Sequence, residues 1–319
     1  MLFSLVKTFV YFLTILSIFS LTVQKTKAQG CSDAGFCTMG AMKPDQHFNR
    51  RVQLKLRSVQ IAQYVGETVF GEINTATIVD LQVGIDEKNS VQFKLPYVIT
   101  TGDLGTNSGL GDISVSYTHT IYNHKDYQWQ ATIGGKLPTG DATRTNDEGF
   151  VFPMVYQTTL GSYDLVGGLS FVSRRWLLAT GIQHPLNAND NTFTRTTWEG
   201  SSLEEVARKY PAANQLLRGT DIMLRIERNF RLSRFNFHIG LLPIYRINKD
   251  QIVDPATQTR IKVDKTTGLA LSGLAGFGYN FNTRSGIKGL FGARIEDRDV
   301  NPDGLYREVV ATLGYVLRF

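Results

Sequence analysis

The most constraining feature of this sequence is an odd–even alternation of apolar and polar residues that recurs from Arg51 to the last residue. In one segment Phe93 and Leu95 alternate with Gln92 and Lys94. Because successive side chains of a β-strand point to opposite faces, a period of two predicts strands with one apolar and one polar face. The same pattern recurs at 113–121, 129–137, 222–230, 235–245, 269–281, 287–295 and 305–319.

The connections between these segments separate a membrane barrel from a soluble sandwich, since both kinds of protein show alternation. The predicted connections are in turn longer (66–72, 102–111, 139–153, 187–218, 248–266, 299–304) and tighter (86–90, 123–126, 174–175, 229–233, 282–286). This order is typical of outer-membrane barrels. It requires 155–173 to be one long strand. The sequence therefore predicts an all-β fold, a closed antiparallel transmembrane β-barrel of about 12 strands with both termini on the periplasmic side.

Closure of the sheet explains how so many strands can carry an apolar outer face. In lipid every backbone N–H and C=O must be paired, and only a closed barrel leaves no edge. A charged fraction of 19% and an apolar fraction of 42% exclude a largely disordered chain, and a mean hydropathy of −0.13 excludes a helical membrane bundle. The ending Leu313, Tyr315, Leu317, Phe319 resembles the C-terminal strand by which outer-membrane barrels are recognised. It predicts the barrel assembly machinery as a partner during insertion.

The first 28 residues read as a secretory signal peptide, with Lys7 before an apolar stretch and a cut after Ala28. A retained signal anchor is the alternative. We expect a signal peptide at 1–28, a periplasmic or lumenal segment at 29–50 and the barrel at 51–319, in the outer membrane of a Gram-negative bacterium. Loss of Lys7, Lys25 and Lys27 from the 34 basic residues leaves 31 against 28 acids, so the net charge falls from +6 to +3. Such a small excess of positive charge does not indicate nucleic-acid binding.

The two cysteines, Cys31 and Cys37, follow the predicted cut at once. An exported chain enters an oxidising compartment, so a disulfide between them is the first interpretation. Lipid modification of Cys31 is a second. As a third, Cys31 and Cys37 form with Met39, Met42 and His47 a soft donor set of the kind that binds copper-like ions. No other metal and no cofactor is expected.

The polar face of the predicted strands lines the interior of the barrel. Its charged residues either form ion pairs across the lumen that stabilise the barrel, or they select among solutes that pass through a water-filled channel. The sequence leaves both roles open. The candidates are Asp80, Lys94, Asp112, Lys136, Arg225, Glu227, His238, Arg246, Arg294 and Glu296. A barrel of this size lies between those filled by side chains and wide porins, so a plug formed by the segment at 29–50 would control permeability.

The loop 187–218 contains Ser201 followed three residues later by Glu204, which is typical of a helix start. This predicts a short extracellular helix in one loop, serving as a solvated cover or as a contact for an envelope protein partner.

Two motifs flank the predicted fourth and fifth strands, Gly109-Leu110-Gly111-Asp112 and Gly135-Lys136-Leu137-Pro138-Thr139-Gly140-Asp141. With them the chain resembles the outer-membrane barrel family named for the meta-cleavage pathway of phenol degradation, which is similar to the fatty acid and aromatic hydrocarbon transporters. The resemblance covers about a tenth of the chain. It implies a protein that helps small, often hydrophobic, molecules cross the outer membrane.

Together these features predict an outer-membrane channel or transporter whose partners are outer-membrane lipid and a small-molecule solute. A structural or accessory barrel of an envelope complex is the alternative. A barrel enzyme is the least favoured, because His119, His124, His184 and His238 are scattered and none lies in a recognisable triad motif.

Overall fold

The computed structural model describes residues 38–43, 55–305 and 307–319. Fifteen strands occur in these residues, and twelve of them form the barrel wall. The twelve are β1 (Lys55–Thr68), β2 (Ile73–Gly84), β3 (Asn89–Gly102), β5 (Ile113–Asn123), β6 (Tyr127–Leu137), β7 (Asp164–Ser173), β8 (Trp176–Pro185), β9 (Asp221–Arg231), β10 (Phe235–Arg246), β13 (Gly268–Asn280), β14 (Ser285–Glu296) and β15 (Arg307–Arg318).

Each wall strand pairs antiparallel with its neighbours in the chain, and β1 closes the sheet by pairing with β15 as well as β2. In the closing register Ile61 lies opposite Tyr315 of β15 and Val79 of β2. Every wall strand therefore has two partners, which leaves no open edge to lipid. The prediction of a closed antiparallel barrel of twelve strands is confirmed.

The two ends of the barrel differ in their connections. At the short-turn end, tight turns at 85–88, 124–126, 174–175, 232–234 and 281–284 join the strands, and β1 begins and β15 finishes there. At the long-loop end lie the connections 103–112, 138–163, 186–220, 247–267 and 297–306. The connection 69–72, predicted as one of the longer ones, is an exception at that end. Because β1 extends to Thr68, it is as short as the turns at the short-turn end.

The predicted long strand at 155–173 is wrong in its first half. Only Asp164–Ser173 is a strand, while Met154–Tyr156 forms a 3-10 turn and the residues between are irregular. The reason is that 154–159 are buried one after another instead of alternately, because this stretch turns back over the lumen. Gly161 makes that turn with φ of +70°, a conformation that favours glycine.

Three shorter elements lie within the long connections. Strand β4 (Gly105–Leu110) folds back on the end of β3, and β11 (Gln251–Val253) pairs with β12 (Arg260–Lys262). The predicted short helix is a single turn, α1 (Glu204–Ala207). The Glu204 carboxylate accepts a hydrogen bond from the Gly200 N–H and Ser201 Oγ accepts one from the Leu203 N–H, so both residues still organise the helix start.

The outer surface of the wall is apolar. Exposed large side chains follow every strand, among them Ile61, Ile133, Leu165, Ile239 and Leu313. Aromatic residues concentrate at the short-turn end, and the exposed ones there include Tyr122, Trp129, Trp176, Phe230, Phe235, Phe237, Phe277, Tyr279, Phe281, Tyr315 and Phe319. The Arg228 guanidinium lies 4.8 Å from the centre of the Trp176 ring. An apolar belt with an aromatic girdle is the surface that transmembrane barrels present to lipid.

The predictions for the signal peptide (1–28), for Cys31 and Cys37, and for the His47 end of the soft donor set lie outside the described residues. No helix in the described part of the chain is long and apolar enough to cross a membrane.

Candidate functional site

The interior of the barrel holds the charged residues that the strand pattern pointed to. Nine of the ten predicted candidates are buried; Glu296, the last residue of β14, is exposed at the long-loop end. Towards the short-turn half lie Asp80, Lys94, Arg225, Glu227 and His238, and towards the long loops lie Asp112, Lys136, Arg246 and Arg294. These two groups belong to two differently built regions of the lumen.

The segment Thr38–Lys43, called the lumen segment below, lies inside the barrel. Met39 and Met42 are buried and form an apolar cluster with Val166, Ala179, Met223, Leu242 and Leu274, which lie on five consecutive wall strands from β7 to β13. Methionine suits such a position because its flexible side chain fills irregular space. The lumen segment therefore blocks part of the barrel cross-section. It comprises six residues of the predicted segment 29–50.

The other side of the lumen segment makes polar contacts. The Gly40 N–H donates to Gln92 Oε1 at 2.6 Å and the Ala41 N–H donates to Thr132 Oγ1 at 2.8 Å. The Lys43 ammonium lies 2.5 Å from Asp80, and Lys94 donates to Thr38 Oγ1 at 2.8 Å. Hence four polar bonds tie six residues to β2, β3 and β6.

Gly40 is required where the lumen segment meets the wall. Its φ is +49°, and a Cβ added there would lie 2.5 Å from both Thr118 Oγ1 and Thr132 Cγ2. Since real Cβ atoms essentially never approach so closely, any other residue at this position would push the lumen segment off β5 and β6.

A cavity of about 110 Å³, the lower cavity, remains between the lumen segment and the wall formed by β1, β2, β14 and β15. Part of its lining is apolar, with Ile78, Leu274 and Leu290 among the contributors. The charged side chains that line it are Lys43, Asp80, Lys94, Arg225 and Lys288, and His238 also contributes.

A second cavity of about 70 Å³, the upper cavity, lies nearer the long loops. It is lined by Asn74 of β2, by Asp112 and Lys136, and by loop residues such as Met154 and Asp303. Tyr64 of β1 lines both cavities. Its hydroxyl would lie 2.4 Å from a Cβ added at Gly66, so the phenol lies against the space that Gly66 leaves open. Tyr64 thus stands at the junction of the two cavities.

The long loops close the other end of the barrel, and we call 138–163, 186–220, 247–267 and 297–306 together the loop cap. Its centre is Arg246, at the end of β10. Arg246 Nε and Nη2 donate to Asp221 at 2.8 and 2.7 Å, Nη1 donates to both oxygens of Asp250 at 3.0 and 2.9 Å, and Nη2 donates to Asp303 at 2.9 Å. All five guanidinium N–H groups are used.

This arrangement, the Arg246 cluster, joins two cap loops to the wall. Asp250 belongs to the loop 247–267 and Asp303 to 297–306, while Asp221 begins β9. Gly219 makes the close approach possible, because a Cβ there would lie 2.0 Å from the Asn248 carbonyl oxygen. Burying so many charges is favourable only when each is paired and hydrogen-bonded, so the cluster demands one loop arrangement.

Two further ion pairs attach the loop 138–163 and its neighbour. Lys136 lies 3.2 Å from Asp112, which also accepts hydrogen bonds from the Thr159 hydroxyl and, at 3.3 Å, from the Leu160 N–H. Arg218 donates to Asp164 and, at 3.2 Å, to Ser162 Oγ. Both pairs are buried, so the cap is held to the barrel rim by charge-assisted bonds on several sides.

An aromatic core fills the space between the cap loops. Phe150 stacks on Trp198 with ring centroids 5.2 Å apart, and Phe152 stacks on Tyr156 at the same distance. The Trp198 indole N–H donates to the Val151 carbonyl at 2.9 Å. Trp198 and Tyr156 are fully buried, which is the packing of a small folded domain on top of the barrel.

Glu72 links this core to the wall. Its carboxylate accepts hydrogen bonds from the Tyr210 and Thr68 hydroxyls. The pKa of Tyr210 is raised, mainly by burial and next by its hydrogen bond to the Glu72 carboxylate. Burial also raises the pKa of Tyr156, to about 12. Both phenols therefore stay protonated and act as hydrogen-bond donors.

Asp303, which the loop 297–306 contributes to the Arg246 cluster, is ionised. Burial alone would raise the pKa of Asp303, but the guanidinium groups of Arg246, Arg298 and Arg218 outweigh that effect and lower the pKa to about 2. Asp303 is therefore ionised and paired throughout the physiological pH range.

The histidines have separate surroundings. His119 Nδ1 lies 2.8 Å from Asn89 Oδ1, His184 Nδ1 lies 2.8 Å from Thr220 Oγ1, and the His124 ring lies 5.0 Å from that of Tyr127. His238 lines the lower cavity, and neither of its ring nitrogens has a hydrogen-bond partner within the described residues.

Strand periodicity did not identify several residues that shape the lumen. Asp250, Asp303 and Arg218 lie in loops, where no alternation marks an inward side chain. Tyr64 is aromatic, so a choice of lumen candidates by charge passes over it. For the strand acids Asp164 and Asp221, their position on the polar face of β7 and β9 was the available signal.

No family model matches the chain, and no curated protein matches it by sequence. Among solved structures, an outer membrane channel from Pseudomonas putida F1 matches with a TM-score of 0.56 and 15% identity, over 86% of this chain and 99% of that one. The NanC porin (TM-score 0.44, 9% identity, 82% and 100% covered) and the CymD monoaromatic hydrocarbon channel (0.41, 9%, 93% and 95%) also match. The first likeness establishes the fold, and the other two are too distant to support a conclusion.

Proposed function

We propose that this protein is an outer-membrane channel for small solutes, with outer-membrane lipid around it and the short turns in the periplasm. The observation that supports this most directly is the pair of cavities that meet at Tyr64 inside a wall whose outer face is apolar. Two barriers lie in series on this path, the lumen segment in the lower half and the loop cap at the outer end.

The proposed cargo includes molecules with a hydrophobic part, because Ile78, Leu274 and Leu290 line the lower cavity. The fold shared with the Pseudomonas putida outer membrane channel supports the same function. We also propose a relationship to the barrel family of the phenol meta-cleavage pathway. Its support here is that Asp112 and Lys136, one from each motif, form a buried ion pair at the rim.

A non-transporting accessory barrel of an envelope complex is the second candidate. The aromatic core of the loop cap favours it, since a packed outer end suits a contact surface as well as a gate. The exposed surface of the loop cap is also where an envelope protein partner would bind.

Conductance in planar bilayers separates the two candidates. The mature chain, purified in detergent and shown to be folded by heat-modifiable migration in gels, is expected to give discrete openings. A complete absence of openings, with the protein demonstrably inserted, would favour the accessory barrel. Release of fatty acid from lipid vesicles would instead support an enzyme.

Tyr64 provides a test of the path itself. Because Tyr64 stands between the cavities, Tyr64→Ala should join them and raise the size of each opening. Tyr245→Ala is the matched control, since Tyr245 is exposed on the outer face of β10. Equal conductance in both variants would mean that solutes do not pass Tyr64.

A further inference from the structure

We propose that one sector of the short-turn end, the arginine rim, binds the phosphate groups of anionic phospholipids in the leaflet around it. This inference rests on the proposed placement in the outer membrane and deepens it by naming a lipid class. Four of the five rim arginines lie in the tight turns 174–175, 232–234 and 281–284, and the fifth lies on β9. The five are Arg174, Arg175, Arg228, Arg234 and Arg284.

The charges of the short turns are divided unevenly around the barrel. The three turns of the arginine rim contain four arginines and no Asp or Glu, whereas the turns 85–88 and 124–126 contain three acids and two lysines. The formal charge is therefore +4 on one side of this end and −1 on the other. All four turn arginines are exposed. A surface of one sign beside a membrane attracts headgroups of the opposite sign.

The three turns of the arginine rim follow one another along the edge of the wall. The Asn229 N–H of β9 donates to the Arg175 carbonyl oxygen at 2.7 Å, which joins the first turn to the strand that leads into the second. The Asn280 N–H of β13 donates to the Arg234 carbonyl oxygen at 2.8 Å and joins the second turn to the strand that leads into the third. Since neighbouring strands lie about 4.8 Å apart, consecutive turns are about 10 Å apart. The positive charges therefore form one continuous sector.

These arginines are not neutralised by acids of the protein. None of the five forms an ion pair within the described residues, and neither does the carboxylate of Phe319 at the end of β15. The arginines that form ion pairs in the described part of the chain are Arg208, Arg218, Arg225, Arg246, Arg294 and Arg298. A guanidinium carries five N–H donors and binds a phosphate through two parallel hydrogen bonds. An anion from the surroundings can therefore use the rim.

Arg228 places this charge at the level of the lipid headgroups. It follows the same alternation as Leu224 and Phe230, whose side chains are exposed on the outer face of β9. Its guanidinium lies 4.8 Å from the centre of the Trp176 ring and 5.8 Å from that of Phe230, so cation–π contacts hold it within the aromatic girdle. A protein that docks below the turns would not reach this face of the wall. The position of Arg228 therefore favours a lipid as the occupant.

The test is quenching of tryptophan fluorescence by lipids with brominated acyl chains. Trp129→Phe leaves Trp176 as the exposed tryptophan, since the third one, Trp198, is fully buried in the loop cap. The mature protein is reconstituted in phosphatidylcholine vesicles with an equal fraction of either brominated phosphatidylglycerol or brominated phosphatidylcholine. At low salt we expect the phosphatidylglycerol to associate roughly fivefold or more strongly beside Trp176. Equal quenching by the two lipids would overturn the proposal.

Two double variants with the same change of charge locate the site. Arg174→Gln with Arg175→Gln removes two charges of the arginine rim beside Trp176, and it should lower the preference for phosphatidylglycerol several-fold. Lys88→Gln with Lys125→Gln is the matched control, because it removes two exposed charges from the other side of the same end. Heat-modifiable migration shows that both variants are folded. The same loss of preference in both, or in neither, would contradict the assignment to the arginine rim.

Salt and free phosphate separate a lipid from other anions. Added NaCl should reduce the preference, because exposed charges are screened. Inorganic phosphate should reduce it no more than chloride does at equal ionic strength. Loss of the preference with phosphate alone would show that the rim binds the free anion, and it would overturn the lipid assignment.

The channel function and the arginine rim can fail separately. The vesicles carry the same lipids in both leaflets, so the quenching does not depend on the orientation of the barrel. Openings in bilayers without a preference for phosphatidylglycerol would overturn the rim and leave the channel function standing. A preference for phosphatidylglycerol in a protein that gives no openings would support the rim and count against transport.

Discussion

The two ends of the lumen are closed in different ways. At the long-loop end, the loop cap is joined to the wall by the Arg246 cluster, two further buried ion pairs and an aromatic core. At the short-turn half, a segment of six described residues is held by four polar bonds and two methionines. The cap is built from the connections between wall strands, whereas the lumen segment precedes the first wall strand. We therefore expect loss of the cap contacts to cost more stability than loss of the lumen segment, and loss of the lumen segment to act mainly on conduction.

This difference also predicts that the two barriers affect different properties of the current. Because the barriers lie in series, we expect the loop cap to set how often the path opens and the lumen segment to limit the current through the open path. The following predictions, in order of decreasing effect on stability, are designed to separate these roles.

The largest effect is expected from Arg246→Met. It leaves Asp221, Asp250 and Asp303 without their shared guanidinium, and breaking such a buried group costs about 3–5 kcal/mol. Denaturant unfolding in detergent should show this loss, with Trp198 fluorescence reporting on the cap. Openings in bilayers should become more frequent with little change in size. The control is Lys249→Met, which breaks the exposed pair with Asp264 and should change the unfolding free energy little. Similar losses in both variants would contradict a special role for the Arg246 cluster.

Acidification should weaken the same cluster by a smaller amount. The pKa of Asp303 is lowered to about 2, against about 3.9 for an unfolded aspartate, so its contribution is fully present above about pH 4 and is lost as the pH falls towards 2. That contribution is on the order of 2 kcal/mol. Unfolding free energy should depend on pH in this window, and the dependence should shrink in Asp303→Asn. An identical pH profile in that variant would disprove the assignment.

Tyr210→Phe is expected to have a similar or slightly smaller effect, about 1–3 kcal/mol, since it leaves a buried Glu72 carboxylate with fewer donors. The same substitution at the exposed Tyr245 should change stability by less than about 0.5 kcal/mol. A result for Tyr210→Phe as small as the control would mean that water replaces the lost hydroxyl.

Gly40→Val should have the smallest effect on stability and a clear effect on current. The added side chain collides with Thr118 and Thr132, so the lumen segment should leave its place while the barrel keeps its unfolding free energy. Gly149→Val is the matched control, because Gly149 also has a positive φ, +88°, but nothing lies within 4 Å of its Cβ. Larger openings are expected in the first variant and native ones in the second. Native openings in Gly40→Val would indicate that the lumen segment does not limit the current.

Sequence reasoning recovered the wall because the wall obeys a local rule. Alternation follows from strand geometry and the apolar surroundings of a membrane, so Ile61 and Leu313 reveal their outward direction within their own strands. It also predicted that Asp112 and Lys136 lie on the polar face, and the structure shows them as an ion pair.

The cap could not be obtained in that way. Asp250 lies four residues after Arg246 and Asp303 lies 57 residues after it, and both are in loops without a periodic pattern. Which loop acids contact Arg246 therefore depends on the complete tertiary structure. The long strand expected at 155–173 failed for the same reason, because Tyr156 and Thr159 leave the strand direction to bind Leu104 and Asp112 of other segments.

The most direct test compares single openings of the mature chain with those of a variant lacking residues 30–50, both folded in the same detergent. The account predicts that the shortened chain keeps its heat-modifiable barrel and its opening frequency, while each opening carries a several-fold larger current. Openings of equal size in the two proteins would contradict the claim that the lumen segment obstructs the path.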